Sequence, residues 1–191
     1  AVADAKLNLS DSTGIYVGNG AGGVSTVDAG YEAIYLKKKM NPLTILGMMP
    51  SGAASAISME LGITGPTYTI NAACASSAMA IGEAYKAIES GRLTSAIAGG
   101  AEGIASEGYI NAWQRLGALA DSDCRPFAED RTGFCLAEGS VMFVLEEMTS
   151  AQAQGKHIYA EITGYGYSSD ANHWTQPSVD GQVRAIKMAL H

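Results

Sequence analysis

Apolar and polar residues along the chain alternate between a short strand pattern and a helical one. "GIYVGNG" (14–20) is a brief β-branched and aromatic run that ends in glycines, the pattern of a buried strand. "STVDAGYEAIYLKKK" (25–39) spaces its apolar residues as a helix does, with Ser25 as the expected cap. "MMPSGAASAISMELGI" (48–63) predicts a second helix, rich in small residues and closed by Gly62. "PTYTINAA" (66–73) predicts a strand, and residues 75–90 a helix that stops at Gly91. Further strands are expected at "TSAIAGGAE" (94–102), "EGSVMFVLEE" (138–147) and "YAEITGYGYSS" (159–169), the first of them continuous and buried in the manner of a parallel sheet. "DGQVRAIKMALH" (180–191) predicts a terminal helix. Such alternation implies an α/β domain, and no linker or internal repeat divides it.

Composition narrows what such a domain does. With 191 residues, 47% hydrophobic and 16% charged, the chain has material for one sizeable core. A formal charge of -7 argues against a nucleic-acid partner, whose phosphates call for clustered Lys and Arg. The one basic run, Lys37 to Lys39, is expected on a solvated helix face. Three cysteines without a C-x-x-C spacing fit neither a disulfide framework nor a metal site, so a reducing, cytoplasmic compartment is expected. No stretch reaches the roughly 18–20 apolar residues of a membrane span. Residues 1–10 lack the basic and apolar regions of a signal peptide. Because the chain opens on Ala1 rather than methionine, an upstream segment is expected.

Chemistry concentrates at "INAACASSAM" (70–79), where a strand hands over to a helix. A cysteine at this point meets unpaired backbone N–H groups and the positive end of the helix dipole, which favour thiolate. Those N–H groups can also hold an oxyanion, and the small neighbours Ala73, Ala75, Ser76 and Ser77 let a carbonyl approach. Cys74 therefore reads as an acyl-transfer nucleophile. Cys124 and Cys135 lack such a setting and are expected to be inert packing residues.

The blocks "GPTYTINAACASSAMAIGEAYKAIESG" (65–91), "AIAGGAE" (96–102), "RPFAEDRTGF" (125–134), "VLEE" (144–147) and "GYGYSSDANHWTQP" (164–177) occur in the order found in β-ketoacyl-[acyl carrier protein] synthases. The chain resembles that family over nearly its whole length, and most closely the elongating enzymes of fatty-acid and type II polyketide synthesis. The resemblance implies a thiolase-like fold, layered α-β-α around a mostly parallel sheet, with 1–191 as part of the N-terminal half. It implies that Cys74 takes an acyl group from acyl carrier protein. Malonyl-carrier protein then loses carbon dioxide, and its carbanion attacks the thioester to give a 3-ketoacyl chain two carbons longer. No cofactor is implied beyond the phosphopantetheine that carries the substrates.

The same resemblance makes Ala21 and Trp113 candidate pocket residues, and makes Ser169, Asp170, His173 and Thr175 part of a loop that helps to gate the acyl channel. It implies a second subunit, identical or related, paired through the edge strand 67–73, with the small-residue helix 51–61 close to that interface. The family's histidines, lysine and Gly-Phe-Gly loop belong to a second half not seen in these residues. Its first strand, expected centrally in a half-sheet of order 3-2-1-4-5, is absent too. An interior piece, inactive by itself, is therefore expected. The chain departs from the family pattern at Ala72, at Ala128 and across Ala137–Val141, which affects packing and substrate rather than the chemistry.

Three other readings compete. "GNGAGG" (18–23) satisfies G-x-G-x-x-G, but a dinucleotide site wants an acidic residue about 20 positions on, and none lies between Glu32 and Glu60. A cysteine hydrolase would need His157 or His173 as its base. A catalytically silent chain-length-factor-like subunit would usually lack the cysteine.

Overall fold

The computed structural model describes residues 1–191. Four strands, β1 (Thr13–Gly18), β2 (Thr67–Ile70), β3 (Ser95–Glu102) and β4 (Gly139–Glu146), form one sheet of order β2-β1-β3-β4. Strands β2, β1 and β3 run parallel, and β4 returns antiparallel to β3. Around them lie α1 (Val2–Ala5), α2 (Val24–Tyr35), α3 (Thr44–Met48), α4 (Gly52–Leu61), α5 (Ser76–Glu89), α6 (Glu107–Arg115), α7 (Met148–Ala153) and α8 (Val179–Ala189).

The period-two rule of strands divides the core into two faces. On one, Tyr16, Ala96 and Ala98 meet Ala80, Ala84 and Ala87 of α5. On the other, Ile15, Val17 and Ile97 meet Ala54 of α4 together with Ile63. The result is the expected layering of helix, sheet and helix. Because the buried residues that α5 sets against the sheet are small, Ala80, Ala84 and Ala87 with Ile81 and Ile88 beside them, it sits close to it. Gly18 and Gly100 permit that closeness at the carboxyl end of the strands. A Cβ on Gly18 would lie 2.3 Å from the Ser76 backbone, and one on Gly100 would lie 1.9 Å from Ser77 Oγ.

Several sequence expectations need correction. Among the strands of this chain β1 and β3 pair directly over six residues, Thr13↔Ser95 to Gly18↔Gly100, where the resemblance sets a further strand between them; the free edges of the sheet are β2 and β4. The helix expected at 48–63 runs over Gly52–Leu61 alone. Met48 instead ends α3, and Met49, ahead of Pro50, is extended (ψ 132°), which separates α3 from α4. Residues 159–169 form no ladder; Tyr165 lies over Gly82 of α5, and Gly164 and Gly166 abut α8. The helix expected at 25–39 starts from Gly23 rather than a Ser25 cap and stops at Tyr35, so the three lysines lie beyond its end. Gly62 closes α4 in the left-handed conformation, as its position suggested.

Candidate functional site

Strand β2 ends at Ile70, and the next five residues make a tight turn into α5. Ala75 N–H donates to Ala72 O at 3.1 Å, and Ser76 N–H to Ala73 O at 3.1 Å. The buried Ser76 hydroxyl ties the turn twice, accepting from Ala72 N–H at 2.8 Å and donating to Ala73 O at 2.6 Å. To close the turn, Ala73 adopts a left-handed backbone (φ 49°), a conformation that costs an L-residue about 1–3 kcal/mol. Cys74 follows immediately, one residue before the cap Ala75. The helix thus begins one residue later than expected, with the cysteine still at its mouth.

Cys74 is exposed and lines an open cavity of about 370 Å³ at the carboxyl ends of β1 and β3, together with Gly20, Ala73, Ser77, Gly100 and Glu102. Neither a backbone nor a side-chain acceptor takes the N–H groups of Cys74, Ser77 or Ala78, so three donors remain free at the helix mouth. That is a setting for an anion: a thiolate, or the oxygen of a carbonyl under attack. A larger groove, about 1120 Å³ between α2, α3 and α4, contains no cysteine or histidine.

The glycine turn after β1 forms a wall of the cavity. Glu102 Oε2 accepts from Gly20 N–H at 2.6 Å and from Ala21 N–H at 3.2 Å, while Asn19 Oδ1 accepts from Gly22 N–H. The amides with which a dinucleotide-binding turn would hold phosphate are therefore engaged by the protein's own side chains, which disfavours the G-x-G-x-x-G reading. Glu102 is the residue here that sequence reasoning missed. Its signal was an acidic residue ending the apolar strand "AIAGGAE".

The other candidate residues do not line the Cys74 cavity. Ala21 stands on the glycine turn, next to the lining Gly20. Trp113 is half-buried on α6, edge-on to Tyr109 and to Phe134, with ring centroids 6.2 and 5.4 Å away. Asp170 accepts from Ser178 N–H at 2.7 Å and from Asn172 N–H at 3.2 Å, bonds that hold its carboxyl below the usual range. In the exposed loop between these partners, His173 Nδ1 accepts from Thr175 N–H at 3.2 Å. His157 is exposed against Tyr159. Cys124 and Cys135, expected as packing residues, are exposed on the long connection between α6 and β4. No group of three His, Cys, Asp or Glu residues stands close enough to hold a metal ion, and no helix is long and apolar enough to cross a membrane.

A mixed α/β sheet with a cysteine displayed at the carboxyl end of an edge strand, beneath a helix mouth, defines the thiolase-like class. Residues 1–151 match the model of the Beta-ketoacyl synthase, N-terminal domain, and the chain belongs to that family. It is 36% identical over 203 residues to the 3-oxoacyl-[acyl-carrier-protein] synthase 2 of Staphylococcus aureus (strain N315), covering 100% of this chain and 49% of the relative. The chain thus spans about half the length of the curated relatives it matches. Among solved structures, the ishigamide ketosynthase/chain length factor superposes with a TM-score of 0.92 at 32% identity, over 100% of this chain and 49% of that one. A type II polyketide synthase acyl-carrier protein in complex with its ketosynthase, bound to the hexaketide, gives a TM-score of 0.90 at 28% identity, over 100% and 52%.

Proposed function

We propose that this chain is the nucleophile-bearing part of an elongating 3-oxoacyl-[acyl carrier protein] synthase, with Cys74 as the residue that is acylated. The observation that carries the reading is the exposed Cys74 over an open cavity, at a helix mouth with three unengaged N–H groups. In the first step the Cys74 thiolate attacks the thioester carbonyl of an acyl carrier protein. The developing oxyanion is held by backbone donors, the Cys74 N–H among them, and the carrier's phosphopantetheine thiolate leaves. In the second step malonyl-carrier protein loses carbon dioxide, and the carbanion attacks the acyl-Cys74 carbonyl. The cysteine thiolate is expelled, and a 3-ketoacyl chain two carbons longer is released. Groups that promote decarboxylation come, in this proposal, from residues beyond this chain, so the 191 residues alone carry out the first half-reaction at most.

Ala21, Trp113, Asp170, His173 and Thr175 are proposed to border the acyl path in the whole enzyme. The partners proposed are acyl carrier protein and a second subunit, identical or related. Edge strand β2, with Thr67 and Tyr68 exposed, is the surface offered to that subunit; an unpaired edge of this composition is an aggregation hazard unless covered. A cytoplasmic setting belongs to the same proposal. The silent, chain-length-factor-like alternative is disfavoured by the presence of Cys74.

Intact-mass spectrometry of the full-length protein with acyl-[acyl carrier protein] tests the reading. The expected result is an acyl adduct on the Cys74 peptide that Cys74→Ala abolishes while carrier binding survives. An adduct that persists in Cys74→Ala, or a wild-type protein that never forms one, overturns it.

A further inference from the structure

We propose that Glu102 is the positioning residue of the Cys74 cavity: its carboxylate clamps the Gly18–Gly23 turn as the wall facing the cysteine, and so sets how an acyl chain is seated. The inference rests on the reading of Cys74 as the acyl acceptor.

Glu102 is the last residue of β3 and borders the cavity itself. It takes Gly20 N–H at 2.6 Å, and Ala21 N–H at 3.2 Å through Oε2 and 3.3 Å through Oε1. Two successive backbone donors facing one carboxylate make a charge-assisted pair, stronger than neutral bonds of the same length. The turn is tied on two further sides. Asn19 Nδ2 donates to Ala101 O at 2.9 Å, next to Glu102, and Asn71 Nδ2, from the end of β2, donates to Gly20 O at 3.1 Å. Gly20 is thus held between the β3 end and the β2 end. It has no spare room, since a Cβ there would lie 2.9 Å from Glu102 Oε2 and 3.3 Å from Ala73 O.

Ala73 carries the left-handed backbone that aims Cys74 into the cavity. The clamped turn therefore packs against Ala73, in the turn that carries Cys74, without being bonded to that residue. Loosening the clamp leaves the thiol in place and reachable but removes the wall against which a long substrate must lie.

The test uses the full-length protein and Glu102→Gln, which keeps the side-chain shape but turns an NH₂ group toward a backbone donor. Two rates at Cys74 are compared: alkylation by iodoacetamide, a small probe, and acylation by octanoyl-[acyl carrier protein]. Iodoacetamide labelling is expected to stay within about twofold of wild type while octanoyl transfer falls about tenfold or more, the scale that a misplaced binding wall costs. A merely structural role would lower both rates together, and that outcome, or an unchanged ratio, overturns the proposal. Asn71→Ala loosens the same turn without touching Glu102; it is expected to shift the ratio in the same direction by about threefold, and it carries the test if Glu102→Gln does not fold. Wild-type protein that is alkylated but never acylated at Cys74 refutes the underlying reading of the site, whereas normal acylation with an unmoved ratio refutes the role of Glu102 alone.

Discussion

Ser77 rests on Gly100 so closely that a β-carbon at that glycine would lie 1.9 Å from the Ser77 hydroxyl oxygen. The seat of the α5 mouth over the sheet is fixed by this contact, and with it the height of Cys74 above β3. Gly100→Ala is expected to push the first turn of α5 outward, destabilise the protein by about 1–3 kcal/mol as overpacking does, and change the iodoacetamide labelling rate of Cys74. Urea unfolding and a labelling time course measure the two effects. A variant with wild-type values for both would show that the contact relaxes without moving the helix.

Ser76→Ala should act on the same turn from inside. The buried hydroxyl is the acceptor for Ala72 N–H and the donor to Ala73 O, so its loss orphans a half-buried amide. The expected cost is about 1–3 kcal/mol in urea unfolding. Glycine at 76 should cost at least as much, since it removes the same hydroxyl from the first helical position.

Lys156 and Glu146 form a different kind of contact, an ion pair at 2.6 Å with only 10% and 12% of the two side chains exposed. Removing one partner strands the other charge. Lys156→Met is expected to destabilise by about 3–5 kcal/mol, and adding Glu146→Leu is expected to recover much of that loss, because an apolar pair of similar size avoids the desolvation of both ions. A double-mutant cycle in urea reads the coupling directly; additive single costs would argue that the pair is hydrated after all.

Alkaline pH offers a probe of the 157–170 segment. Burial, followed by the nearby Glu83 carboxylate, pushes the Tyr165 phenol up to about 12, and its hydroxyl donates to Glu83 Oε1 at 3.3 Å. An unfolded tyrosine titrates near 10. The folded state therefore holds this proton more tightly, so the stability it contributes is complete below pH 10 and is lost as the pH rises from there through about 12. Tyr16, Tyr85 and Tyr159 are also shifted up, so absorbance titration at roughly 295 nm should show several late tyrosines, of which the one near pH 12 disappears in Tyr165→Phe. If the variant's titration curve matches wild type, that phenol is not Tyr165.

The four strands were legible because their apolar runs are short, β-branched and bounded by glycine or proline; each observed strand falls within its expected range or begins one residue earlier. Cys74 was legible too, since the strand-to-helix handover is written in Thr-Tyr-Thr-Ile followed by small residues. What escaped reading was relational. The run from Tyr159 to Ser169 has the composition of a strand, but whether an extended segment finds a ladder depends on a free sheet edge beside it, and here α5 and α8 claim it instead. Helix α6 was missed although its marks are present: Ser106 accepts from Tyr109 N–H at 3.1 Å as a cap, and Tyr109, Ile110 and Trp113 recur at helical spacing in an otherwise polar stretch. Glu102 was passed over because a carboxylate ending a strand gives no hint that two amides from a turn 81 and 82 residues away will converge on it.

The left-handed backbone of Ala73 sets stability against accuracy at one residue. Ala73→Gly would relax that conformation and is expected to raise the unfolding free energy by up to about 1 kcal/mol. The same freedom would let the neighbouring thiol sample directions that the alanine forbids. A sturdier protein would then be a less exact one, and the signature would be a raised urea midpoint with a broader spread of Cys74 reactivity among electrophiles of different size.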